Sequence, residues 1–116
     1  MIAEQVYISE VFKTQYGAVY QDDAAKQWVI DFAGKQAAFN YRCLLKLRDR
    51  IYKINIEDKL YNPKASDFEI IFICACDHTY VLSLMQIIAL KELLQGAFVM
   101  LELNHIIHNA LYRLAV

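Results

Sequence analysis

Glycine and proline are scarce in this 116-residue chain, with three glycines (Gly17, Gly34 and Gly96) and one proline, Pro63. So few glycines leave no room for a glycine-rich phosphate loop. The sequence also lacks a Gly-x-Ser-x-Gly nucleophile elbow, a His-Glu-x-x-His zinc motif and a Cys-x-x-Cys redox pair. Three cysteines, Cys43, Cys74 and Cys76, form an odd set rather than a secreted disulfide framework. Charge of one sign is missing too, since twelve Lys and Arg face thirteen Asp and Glu. Without a positive field the chain is not expected to bind nucleic acid or an anionic membrane. The opening residues MIAEQVYISE contain no basic region followed by an apolar core and a small-residue cleavage site, so no secretory signal is read there. Between Leu82 and Leu103 the longest apolar run is broken by Gln86, Lys91, Glu92, Gln95 and Glu102, too many polar groups for an ordinary membrane span. These absences point to a cytoplasmic protein with reduced thiols and no evident catalytic motif.

Apolar side chains, by contrast, are abundant. They make up 58% of the residues, against roughly 45–50% in ordinary soluble domains. A chain of this length builds one domain over residues 1–116 and leaves much of that domain's surface exposed. The surplus therefore has to be covered, and a homo-oligomer is the expected solution.

Along the chain, Val6 to Lys13 is rich in β-branched and aromatic residues and predicts a strand. Tyr16 and Gly17 interrupt it and Ala18 to Gln21 resumes an extended pattern, giving two short strands or one bent strand before a polar turn at Asp22 to Lys26. Gln27 to Phe32 alternates, with Trp28, Ile30 and Phe32 on the core face. Residues 33–36 form a turn in which Gly34 can take positive φ, and Ala37 to Phe39 is the returning strand. Asn40 is a helix N-cap. Leu44, Leu47, Ile51 and Ile54 follow at helical spacing and predict an amphipathic helix from Tyr41 to Asp58. Arg42, Lys46, Asp49, Arg50 and Lys53 give its outer side more positive than negative charge, which could meet an anion or phosphate backbone but reads as a solvated face in a chain with no overall positive charge. Residues 61–67, which include Pro63, form a loop.

Phe68 to Ala75 is apolar at almost every position after Glu69, the pattern of a strand buried on both sides. Tyr80, Leu82 and Leu84 line one face of the next strand, and Ser83 with Gln86 is a capping box that starts a helix. Residues 27–58 and 68–96 thus share a hairpin, cap and helix order, and LLKLRDRI from Leu44 resembles IIALKELL from Ile87, a weak internal ββα repeat. The expected fold is α+β: an antiparallel sheet of four to six strands built from hairpins, with two or three helices on one face.

The last third carries the most informative pattern. Ile87, Leu90, Leu93, Leu94, Ala97, Phe98 and Leu101 share one helical arc, but after Leu101 the apolar positions change phase to Leu103, Ile107, Ala110, Leu111 and Leu114. One straight helix cannot serve one core with both arcs. Either it ends near Gly96, a natural C-cap, or it continues and offers its second stripe to another surface. At about 1.5 Å per residue, Leu84 to Leu114 would approach 46 Å, longer than the roughly 35 Å width of so small a domain.

Two clusters have ligand chemistry. Cys74 and Cys76 occupy alternate strand positions beside His78, and His105 or His108 could complete a zinc site, with Cys43 or water as other fourth ligands. The Cys-x-Cys-x-His spacing is not a strong zinc signature, and small cysteines in an apolar strand more often simply pack. Glu102, His105 and His108 share a helix face, as do ligands of carboxylate-bridged metal sites, yet no second such motif accompanies them. Eight tyrosines and six phenylalanines lack the basic interleaving of a base-stacking sheet and read as core and interface residues. The leading functional expectation is a self-associating module that presents a surface to a protein partner. A small metal-binding protein built on Cys74, Cys76 and His78 ranks second, and no other cofactor is implied.

Overall fold

A computed structural model describes residues 8–62, 68–73 and 78–115. The fold is α+β. Four strands form an antiparallel meander in the order β1-β2-β3-β4: β1 (Ile8–Thr14), β2 (Gly17–Asp22), β3 (Gln27–Phe32) and β4 (Lys35–Phe39). Helix α1 (Tyr41–Tyr52) and a short α2 (Ile56–Tyr61) follow. A separate two-stranded sheet, β5 (Phe68–Ile73) and β6 (His78–Ser83), leads directly into α3 (Leu84–Ala115).

Local chemistry sets most of these boundaries. The stretch read as one bent strand or two is a hairpin, β1 turning into β2 at Gln15 and Tyr16. Its register slips between Glu10 and Phe12, a bulge that lets Val11 enter the core while Phe12 also packs against it. The turn from β3 to β4 needs only Ala33 and Gly34, at φ 54° and 74°, the mirror-image geometry that suits a two-residue hairpin. The next cap is Asn40, whose Oδ1 accepts from the Cys43 amide at 2.8 Å. At the start of α3, Ser83 Oγ accepts from the Gln86 amide at 3.3 Å while Gln86 Oε1 accepts from the Ser83 amide at 3.0 Å. Both halves of the expected capping box are thus made.

The helix expected from Tyr41 to Asp58 is two helices. Asn55 interrupts it because its side chain accepts from the Asp58 amide at 2.9 Å, capping a new helix and competing with continuation of the old one. The expected antiparallel sheet has four strands, and the other two described strands form a second sheet. Lys35 bridges them, its ammonium donating to the Thr79 carbonyl at 3.0 Å and lying 4.8 Å from the Tyr80 ring centre. Helix α2 is tied to β5 by the Lys59–Glu69 ion pair at 2.6 Å.

The core lies where the two sheets and α1 close on the first half of α3. Val19, Ile30 and Ala37 stand opposite one another across β2, β3 and β4 and are all buried. Leu44, Leu47 and Ile51 come from α1, Ile71, Tyr80 and Leu82 from the small sheet, and Ile87, Leu90, Leu93, Leu94 and Ala97 from α3. Each large aliphatic side chain hidden in this way contributes about 1.5–3 kcal/mol of transfer free energy. No polar or charged residue is buried among those described. The Tyr80 hydroxyl, however, is buried with no hydrogen-bond partner, and burial pushes its pKa up to about 12.

Strand β5 departs from the expectation of burial on both faces. Ile71 is buried, but Phe68 is 57% exposed and Ile70 65%, alongside Val81 of β6 at 60%. Among the described residues Ile71 faces the core while Phe68, Ile70 and Val81 stay largely exposed, so the continuous apolar run has one buried face and one exposed face.

Candidate interaction surface

Helix α3 does not end at Gly96. It runs unbroken from Leu84 to Ala115, about 48 Å at 1.5 Å per residue, and the molecule is 59 × 33 × 27 Å. Gly96 serves packing instead of capping: a side chain there would overlap the ring of Phe12. The absent side chain lets edge strand β1 lie against the helix, and no proline follows to stop it.

Beyond Leu101 every described side chain of α3 is exposed. Those side chains fall into two opposed arcs. Leu103, Ile106, Ile107, Ala110, Leu111 and Leu114 form one, and the five large members are 44–83% exposed. Glu102, Asn104, His105, His108, Asn109, Tyr112 and Arg113 occupy the remainder, with Asn109 Nδ2 3.2 Å from His105 Nε2 along the helix. At about 100° per residue the apolar stripe is rotated by roughly 140° from the buried one, so it leaves the core and faces solvent. The segment Leu84–Leu114 is long and apolar enough by composition to cross a membrane, with mean hydropathy 1.5, and 28% of its window is buried in the fold.

A second feature flanks the point where α3 leaves the body. Trp28, Tyr41, Arg48, Tyr52, Phe98 and Glu102, with neighbouring residues, line an open cleft of about 870 Å³. The Trp28 and Tyr41 rings are 5.5 Å apart and tilted by 56°, and the Arg48 guanidinium lies 4.8 Å from the Phe98 ring centre. Trp28 Nε1 is buried without a partner. The contributors come from β3, α1 and α3, which is why no local motif announced the cleft.

Of the metal candidates, Cys74 and Cys76 lie outside the described residues. His78 opens β6, where its backbone stands opposite Ile73. His105 and His108 are exposed on the projecting end of α3. Among the described residues no group of three or more His, Cys, Asp or Glu converges. Cys43 is disulfide-bonded, contrary to the expectation of reduced thiols, and a sulfur so held is not a thiolate ligand. Comparison with protein-family models, curated proteins and solved structures gave no significant match.

Proposed function

We propose that this chain is a self-associating module in which the first half of α3 organises the fold and the second half is the contact surface between copies. The observation that carries this reading is the unbroken α3, which takes the stripe Leu103 to Leu114 out of the core and into solvent. An exposed apolar stripe of this kind, rimmed by polar residues, is characteristic of interaction surfaces. The apolar surplus of 58% and the exposed side chains of Ile70 and Val81 favour the same reading. Its one-sidedness argues against a membrane span, because Glu102, Asn104, His105, His108, Asn109 and Arg113 would all have to enter hydrocarbon with the stripe. No catalytic role is assigned.

Sedimentation equilibrium at micromolar concentration tests the proposal. Wild-type protein is expected to sediment as an oligomer, and Ile107→Glu, which sets a charge in the middle of the stripe, is expected to give a monomer with an unchanged far-ultraviolet circular dichroism spectrum. A monomeric wild type would overturn the reading.

A further inference from the structure

We infer that the occupant of the stripe is a second copy of the same helix running antiparallel, related by a two-fold axis that passes between His108 and Asn109. The inference rests on the self-association reading and adds the partner's direction and register. Its first basis is the spacing. Leu103, Ile106, Ile107, Ala110, Leu111 and Leu114 form a palindrome in apolar character: measured from that midpoint, Leu103 mirrors Leu114, Ile106 mirrors Leu111 and Ile107 mirrors Ala110. Leu103, Ile107, Ala110 and Leu114 are separated by four, three and four residues, the heptad rhythm of a two-helix seam. An isologous contact requires a surface complementary to itself. Here the antiparallel register sets Leu103 against Leu114 at each end and Ile107 beside the small Ala110 near the middle.

The second basis is charge. At about 100° per residue, Glu102 and Arg113 lie within about 20° of each other, on the same flank of the stripe. A two-fold axis perpendicular to both helices keeps that flank on one side of the pair. It brings Glu102 of each copy level, within about 3 Å along the axis, with Arg113 of the other. Two opposite-charge pairs result, related by symmetry. A parallel pair would instead place this flank beside the opposite one, where Asn104 and Leu111 offer no charge. Flanking charges of this kind set orientation in helix pairs.

Cross-linking of the full-length chain separates the arrangements. Leu103→Cys and Leu114→Cys are prepared as single variants, oxidised alone and mixed, and the linked peptides are identified by mass spectrometry, since Cys43, Cys74 and Cys76 remain. The expected result is a link between position 103 of one chain and position 114 of the other in the mixture, and none from either variant alone, because equivalent positions lie about 16 Å apart along the axis. Self-linking of either variant overturns the antiparallel register. An oligomer that gives no link in the mixture also overturns it, while leaving self-association in place. A monomeric wild type, including one that binds lipid vesicles, removes both.

Charge exchange supplies a second measurement with intact core contacts. Glu102→Arg and Arg113→Glu are each expected to weaken the dimer about tenfold, from two lost pairs and two new repulsions. The combined variant is expected to return to within about threefold of wild type. Failure of the combination to restore affinity overturns the pairing.

Discussion

From Ile87 to Leu101 and from Leu103 to Leu114, α3 carries two apolar stripes of similar length and chemistry, and their surroundings are opposite. In the first, Leu90, Leu93 and Leu94 are fully buried against two sheets and α1. In the second, Leu111 and Leu114 are 60% and 83% exposed. Hydrophobicity therefore does not distinguish the two halves; the azimuth of the stripe does. A rotation of roughly 140° within one rigid helix places one stripe on the body and the other beyond its edge.

The most forceful way to break the comparison is to put the same charge in each half. Leu93→Asp is expected to cost at least about 4 kcal/mol, because it removes a packed side chain and buries an unpaired carboxylate. Leu111→Asp should leave the stability of the monomer within about 0.5 kcal/mol of wild type and abolish association. Urea unfolding of both variants, with sedimentation of the second, checks the pair. Similar destabilisation by both would mean that the second stripe also belongs to the core.

Gly96 sharpens the comparison, since it stands where α3 meets Phe12 of β1. Gly96→Leu is expected to destabilise by about 1–2 kcal/mol: overpacking against Phe12 costs about 1–3 kcal/mol, and recovered helix propensity offsets at most about 1 kcal/mol of it. In a Phe12→Ala background the same change should reverse sign and stabilise by up to about 1 kcal/mol. Denaturant midpoints for the four proteins of this cycle give the coupling directly. An unchanged cost in the second background would show that Gly96 is needed for something other than the Phe12 ring.

The smallest effect concerns Tyr80, on the buried side. Its pKa is raised to about 12 by burial, so the folded state holds the proton more tightly than the unfolded state, where the value is near 10. The stability from keeping it neutral is complete below about pH 10 and is lost as pH rises from there through about 12. Tyr80→Phe should remove that part of the alkaline loss. At neutral pH it should change stability by no more than about 1 kcal/mol, since the hydroxyl it deletes has no partner. Unfolding curves at pH 7 and across the alkaline range check both statements.

What could be read before folding follows the range of the interactions involved. Asn40, Gly34 and the Ser83–Gln86 capping box act within three residues and do what their spacing predicts. Asn55 acts over the same range, but the periodicity of Leu44, Leu47, Ile51 and Ile54 ran up to it and masked its cap. Burial of β5 was misread because a continuous apolar run specifies apolar surroundings and cannot say who supplies them. Among the described residues Phe68 and Ile70 stay largely exposed. The cleft around Trp28 and Phe98 was invisible for the complementary reason, its walls being far apart in sequence.

The sequence by itself determined the turn at Gly34, the caps at Asn40 and Ser83 and the change of phase after Leu101, because each is a property of neighbours along the chain and of the helical repeat. It left two outcomes open at Gly96, since glycine can cap a helix or admit a close neighbour. Only the tertiary structure decided between them. Phe12, 84 residues away on β1, fills the space a side chain would need, so the helix continues and its second stripe reaches solvent.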